Sequence, residues 1–351
     1  MTDKILEVKN LSVEFQAFSG IVKAVRNISF DLHRGETLAI VGESGSGKSV
    51  TSKAIMGILQ SNATITSGSI TYDTRDLTKI SQYEYSTMRG SRMAMVFQDP
   101  LSALNPVMKI GKQITESLVL SKKIKKSDAP KRAVELMEAV AIPEAKKRYN
   151  QYPFQFSGGM RQRIVIACAL AGDPELLICD EPTTALDVSV QSKILELIKD
   201  LQKKRNLSVI FITHDMGVVA GMADRMAVMY AGKIVEIGKV DEVFYNPQHP
   251  YTWNLLAAMP DMETGQDEKL LSIPGTPPNM LHPPTGDAFA ARNKFALNID
   301  HRLEPPMFKI SDTHFAATWL LHPNAPKVDM PDVLRKRLER QKIKGVAVGG
   351  K

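Results

Sequence analysis

An apolar run, Thr37-Leu38-Ala39-Ile40-Val41, opens into Gly42-Glu43-Ser44-Gly45-Ser46-Gly47-Lys48-Ser49, and a helical pattern begins at Lys48. A buried strand, a glycine loop and a helix in that order commit a chain to an α/β core. The loop fits the phosphate-binding pattern GxxxxGK[ST]. Glycines let backbone N–H groups close around a β-phosphate, and the following helix N-terminus adds partial positive charge. Lys48 supplies a point charge between β- and γ-phosphates, and Ser49 offers a hydroxyl to Mg²⁺. The alternative, a Gly/Ser surface loop, is disfavoured by the flanking strand and helix.

A second glycine motif, Phe156-Ser157-Gly158-Gly159-Met160-Arg161-Gln162-Arg163, precedes another helical pattern. Such an opening binds anions well, although a capped helix start explains it too. It need not bind this chain's own nucleotide. Two phosphate-reading loops point to one nucleotide held between two protein bodies. Downstream, Leu176-Leu177-Ile178-Cys179 ends in Asp180-Glu181, and Val209-Ile210-Phe211-Ile212-Thr213 ends in His214-Asp215. Asp180 at a strand end can meet the metal, Glu181 can deprotonate the attacking water, and His214 can touch the γ-phosphate. Gln98, after Met93-Ala94-Met95-Val96-Phe97, can bond metal or water from a loop; spacing alone leaves that open.

The bulk numbers agree with a globular protein. In 351 residues, apolar types make up 43% and charged types 24%. Lys and Arg number 45 against 38 Asp and Glu. This mild basic excess suits a nucleotide or an acidic membrane surface as well as nucleic acid. The two cysteines, Cys168 and Cys179, lie in apolar stretches expected in the core; no disulfide framework or metal spacing follows from them. The first residues, Met1-Thr2-Asp3-Lys4, lead into a strand pattern without an apolar h-region, so no signal peptide is expected. No apolar run approaches the ~18 residues of a membrane span.

Strands are expected within residues 5–32 and at Thr37–Val41, Gly68–Tyr72, Arg92–Phe97, Leu176–Asp180, Ser208–Thr213 and Arg225–Tyr230. Helices are expected near Ile110–Leu120, Lys131–Val140 and Met160–Leu170 and over Val188–Arg205. Prolines crowd the chain after Met259. Residues 260 to about 330 read as a small irregular domain, and 331–351 as a basic helix with a Gly-rich end.

The set GESGSGKS, Gln98, FSGGMRQR, LLICDEP, Ala185-Leu186-Asp187 and Thr213-His214-Asp215 resembles the ATP-binding subunit of ABC transporters over residues 5–258. SGGMRQR, Phe97-Gln98-Asp99-Pro100 with Ala103-Leu104-Asn105-Pro106, and Asn246-Pro247-Gln248-His249-Pro250-Tyr251-Thr252 resemble the oligopeptide/dipeptide branch, which also includes nickel importers. The resemblance implies a P-loop NTPase cassette: a RecA-like α/β core, an antiparallel β subdomain and a helical subdomain at about 100–170. These would occupy residues 1–258, with a C-terminal domain and basic tail over 259–351.

The resemblance also implies roles. Gly42, Ser44, Gly45, Ser46, Gly47, Lys48, Ser49 and Val50 would hold ATP, and Ser49, Gln98 and Asp180 would meet Mg²⁺. Glu181 would be the base, His214 the switch histidine, and Gln98 the link to the membrane subunits. Ser157, Gly158 and Gly159 would complete the partner's ATP site, and Asp187 would couple the two sites. Phe15 falls where the family stacks an aromatic ring on adenine, although Phe15 or Phe18 could equally pack in the core. Expected partners are a second, related cassette, two transmembrane permease subunits and an extracytoplasmic peptide-binding protein. Nucleic acid is not expected, and the location is peripheral, on the cytoplasmic side of the cell membrane. The expected cargo is oligopeptides or dipeptides; nickel or another small solute stays open, because the cassette never touches cargo. A DNA- or ribosome-directed ATPase is disfavoured by the lack of a long coiled-coil insert or second cassette. A non-catalytic cassette is disfavoured by Glu181 and His214. Many members of the branch carry four cysteines for an iron–sulfur cluster; here those places hold Asp287, Asn293, Asp300 and Thr318, and no cluster is expected.

Overall fold

The computed structural model describes residues 3–184, 186–259 and 273–336. Ala185, Pro260 and the Gly-rich end expected after 336 lie outside them. Strands β1 (Lys4–Ala17) and β2 (Gly20–His33) form a hairpin. β3 (Thr37–Val41) runs into the glycine loop and α1 (Lys48–Ile55), followed by β4 (Ala63–Tyr72), β5 (Arg75–Asp76), α2 (Gln82–Met88) and β6 (Met93–Val96). Five helices come next: α3 (Pro100–Ala103), α4 (Ile110–Leu120), α5 (Ala129–Ala139), α6 (Ala145–Arg148) and α7 (Gly158–Leu170). Then β7 (Leu176–Asp180), α8 (Val188–Arg205), β8 (Ser208–Thr213), α9 (Met216–Met222), β9 (Arg225–Tyr230) and β10 (Lys233–Lys239) build the core. α10 (Val240–Tyr245), α11 (Pro250–Ala257), β11 (Phe308–Lys309) and β12 (Phe315–Ala316) close the described chain.

The strands form a four-stranded sheet, β2-β1-β4-β5, and an eight-stranded sheet, β11-β12-β10-β9-β3-β8-β7-β6. From β9 to β6 the larger sheet is parallel. That is why its strands read as unbroken apolar runs: a parallel sheet covered on both faces needs apolar residues on both. In β8, Ile210 and Ile212 face the core shared with the antiparallel sheet and α1, while Val209 and Phe211 face α4, α5, α7 and α8. β6 and β7 divide the same way: Met95 and Ile178 face the first core, Val96 and Cys179 the second. Cys168 is partly buried and packs against the second core. Phe18 is fully exposed, which removes it as a core residue, whereas Phe15 is half-buried against the first core.

Much of the C-terminal region is irregular, as its prolines require. It still joins the main sheet, where β12 pairs with β10 (Glu236 with Ala316, Ile237 with Phe315). A third core gathers Tyr230, Tyr251, Trp253 and Phe289, with the Tyr230 and Phe289 ring centroids 5.2 Å apart. The segment Asn246–Thr252 is anchored by one buried carboxylate. Glu236 accepts from the backbone N–H of Gln248 at 2.8 Å and of His249 at 3.0 Å, and lies 2.8 Å from Nε2 of His314.

His249 is fully buried, and its Nδ1 accepts from the N–H of Tyr251 at 3.0 Å, capping α11. Burial pulls its pKa down to about 3. The unfolded imidazole titrates near ~6.5. Below that pH the unfolded chain takes up a proton that the folded chain refuses, so stability held above pH ~6.5 is lost as pH falls toward the folded value. We expect a loss of about 1.4 kcal/mol between pH 7.5 and 5.5 from this residue. Urea melts at the two pH values check it. His249→Asn keeps a capping acceptor without titrating, and should remove that part of the slope; an unchanged slope would contradict the assignment.

Candidate nucleotide-binding site

The P-loop bends through left-handed backbone at Gly42 (φ 153°), Gly45 (φ 78°) and Gly47 (φ 103°). A Cβ on Gly42 would stand 2.1 Å from the carbonyl oxygen of Met229, and one on Gly47 2.6 Å from that of Ala24. Only glycine permits the loop to lie this close to β9 and β2. At Gly45 nothing lies within 4 Å of the Cβ position, so the loop is open there.

Lys48 is buried at 5% exposure, and its Nζ donates to the carbonyl oxygens of Gly42 (2.8 Å) and Glu43 (2.9 Å). Among the described residues it forms no ion pair. Burial lowers its pKa, partly offset by the fields of Glu181, Asp180 and Glu43. A buried cation held only by carbonyls is a receptor for an anion. The Ser46 hydroxyl, also buried, has no hydrogen-bond partner among the described residues. Both features fit a phosphate group lying in the loop.

Four successive parallel strands deliver the other groups to one sheet edge: Gln98 after β6, Asp180 and Glu181 from β7, His214 after β8, and the P-loop after β3. The C-terminal edge of an open parallel sheet is where such folds bind ligands. Ser49 Oγ donates to Asp180 Oδ1 at 2.9 Å. Asp180 is buried, which raises its pKa, while the Ser49 bond and nearby Lys53 and Lys48 pull the other way. A hydroxyl beside a carboxylate is a donor set suited to Mg²⁺.

Glu181 is the hub of the site. Its backbone is left-handed (φ 48°), and its N–H donates to the carbonyl of Ile212 at 2.9 Å. That bond aims the carboxylate out of the sheet edge, at the cost of local strain. The carboxylate accepts from Gln98 Nε2 at 3.0 Å and from the Thr184 hydroxyl at 3.0 Å, and lies 3.4 Å from His214 Nδ1. Thr184 was not foreseen; its position three residues past the acid was the available signal. Gln98 meets Glu181 here rather than the Ser49–Asp180 pair.

A cavity of about 680 Å³ is lined by Ser44, Gly45, Gly47, Lys48, Ser49 and Val50 together with Phe15, Val22 and Ala24. Gln98, Glu181 and His214 complete its lining, whereas Gly42, Ser46 and Asp180 are not among the lining residues. Ser157, Gly158 and Gly159 are not among its walls. Ser157 caps α7, accepting from the N–H of Met160 at 3.4 Å, and Ser157 and Gly158 are exposed. Asp187 is likewise exposed, at the start of α8.

The family model described as ABC transporter matches residues 25–184, and that described as oligopeptide/dipeptide transporter, C-terminal region, matches residues 235–299. The oligopeptide transport ATP-binding protein OppD of Bacillus subtilis (strain 168) is 58% identical over 338 residues, covering 96% of this chain and 94% of that protein. This chain belongs to the ATP-binding subunits of the oligopeptide/dipeptide ABC transporter family. The dipeptide transport ATP-binding protein DppD of Lactococcus lactis subsp. cremoris (strain MG1363) is 58% identical too, covering 98% of this chain and 99% of that protein. A dimeric post-hydrolysis structure of the ATP-binding cassette MJ0796 bound to ADP and Pi aligns with a TM-score of 0.60 at 27% identity, covering 67% of this chain and 98% of that one. The cassette is therefore an α/β ABC ATPase fold.

In this ABC ATPase, the four C-terminal positions without cysteine each bond a nearby backbone N–H. Asp287 accepts from Phe289 (3.0 Å), Asn293 from Phe295 (2.9 Å), Asp300 from Leu297 (2.6 Å) and Thr318 from Leu320 (3.3 Å). Oxygen side chains thus pin the turns of a region with little regular structure. Burial raises the Asp287 pKa to about 6. No helix among the described residues is long and apolar enough to cross a membrane.

Proposed function

We propose that this chain is the ATP-hydrolysing motor of an importer carrying oligopeptides or dipeptides across the cytoplasmic membrane. The observation that carries the motor reading is the buried Lys48 ammonium, held among the described residues by two carbonyls, with the Glu181 carboxylate lining the same cavity. The cargo follows the relatives that align over nearly the whole chain.

In this reading the glycine loop, Lys48, Ser46 and Val50 grip the triphosphate of ATP, and Phe15 supports the adenine. Ser49 and Asp180 would hold Mg²⁺, which would neutralise charge developing on the phosphates. Glu181 takes a proton from the attacking water, Thr184 and Gln98 fix its orientation, and His214 senses the γ-phosphate. Ser157, Gly158 and Gly159 read the ATP of a facing cassette, so ATP favours the closed pair by differential binding and its hydrolysis releases the pair. Asp187 couples the two sites.

The facing cassette is a related but different subunit. Two permease subunits and an extracytoplasmic peptide-binding protein complete the transporter, and this chain sits peripherally on the cytoplasmic side. We divide the chain into a cassette over 1–258, with its helical subdomain at about 100–170, and a C-terminal domain over 259–351.

Uptake of radiolabelled peptide by cells carrying the wild-type chain or Lys48→Ala tests the reading. Loss of the Lys48 charge should reduce uptake about a hundredfold, the scale of one lost transition-state contact. Peptide uptake that does not respond, with nickel uptake that does, would overturn the peptide assignment.

A further inference from the structure

Glu43, the second residue of the P-loop, is held on three sides, and two of the holders come from beyond the catalytic strands. Its N–H donates to the Tyr251 hydroxyl at 2.9 Å, from α11. Its carbonyl oxygen accepts from Lys48 Nζ at 2.9 Å and from the N–H of Ser46 at 3.2 Å. Its carboxylate receives both arms of Arg292, Nη1 to Oε2 at 2.7 Å and Nη2 to Oε1 at 3.0 Å. Glu43 thus turns its side chain to the C-terminal region and its carbonyl to the catalytic lysine.

Arg292 is built for a fixed geometry. Its side chain is only 5% exposed. Nε donates to the carbonyl of Pro274 at 2.7 Å, and Nη1 also donates to the Tyr230 hydroxyl at 3.1 Å. The guanidinium carbon lies 5.6 Å from the centroid of Tyr230 and 5.9 Å from that of Phe289. A planar fork fixed by aromatic faces and a carbonyl points one N–H of Nη1 and one of Nη2 in a single direction. The carboxylate of Glu43 fills it. The bond joins residues 249 apart in sequence.

We propose that Arg292 is a positioning residue for the nucleotide site: through Glu43 it sets the P-loop conformation that presents Lys48 and the loop amides to phosphate. The C-terminal region, whose described residues contribute no wall to the cavity, thereby tunes ATP affinity. The inference rests on the proposal that this loop holds ATP. A loop free to rearrange must be ordered by the ligand at the ligand's expense, whereas a braced loop is ordered beforehand.

The test is ATP binding to the full chain, by titration calorimetry with ATP and Mg²⁺, for wild type, Glu43→Gln, Arg292→Met and the double variant. Glu43→Gln is the safer probe, since its side chain is partly exposed and the amide conserves shape. Each single variant should weaken ATP binding roughly tenfold, and the double variant no further, because both break the same Arg292–Glu43 contact. In steady-state turnover KM for ATP should rise by a similar factor while kcat holds. ATP affinity within twofold of wild type in both single variants, with only the melting temperature lowered, would reduce the pair to a staple between the two regions and overturn the proposal. A wild-type chain that binds no ATP at all would instead overturn the nucleotide-site reading beneath it.

Discussion

Replacing Glu181 with Gln should lower ATP turnover about a thousandfold, the middle of the range for a lost general base, while ATP still binds. The amide is nearly isosteric, so the strained backbone at Glu181 and its bond to Ile212 are not disturbed. What disappears is the capacity to accept a proton; Lys48 stays bonded to the carbonyls of Gly42 and Glu43, and Ser49 to Asp180. A single-turnover assay with the assembled transporter, together with ATP retention on gel filtration, measures both quantities. Trapped ATP and a closed pair of cassettes are the expected outcome. Turnover within threefold of wild type would assign proton removal to another group.

The second large effect is expected at Gly158. A Cβ there would meet only the Leu186 side chain at 3.7 Å, an ordinary contact, whereas at Gly159 it would strike Val190 at 2.4 Å. Gly158→Asp is therefore compatible with this chain's own fold; an acidic residue at the start of α7 even favours the helix. It would put a negative charge where the partner's phosphate is expected. Turnover in the assembled transporter should fall at least a hundredfold, on the scale of a lost anion-stabilising contact, while this chain alone binds ATP with unchanged affinity. Weaker binding by the isolated chain would place the loop in its own site and sink the two-body account.

The parallel core was readable because burial on both faces leaves each strand a continuous apolar run with a polar residue at its end. Leu176–Asp180, Ser208–Thr213 and Arg225–Tyr230 occur with those bounds. The short helix Gln82–Met88 was not foreseen, although Ser81 and Glu84 form the capping box that announces a helix start. β10 was not foreseen for a different reason. Its Glu236 is wholly buried, and a carboxylate inside a strand reads as a surface position until its partners His314, Gln248 and His249 are known.

The candidate site divides along the same line. Order along the chain is enough to determine that a phosphate loop, an acid pair and a histidine each follow a buried strand, since these groups depend on local backbone geometry and on the end of a parallel strand. Sequence order also determines the family. Which side chains converge is a matter of sheet order. β3, β8, β7 and β6 are neighbours in space but not in sequence, and only that adjacency brings Gln98 and His214 to opposite sides of Glu181. The tertiary structure alone decided that Thr184 supports the base, that Phe15 rather than Phe18 faces the cavity, and that Arg292 reaches Glu43. Hydrogen bonds and ion pairs act over a few ångströms, and the distance between two residues along a chain says nothing of that separation until the core has packed.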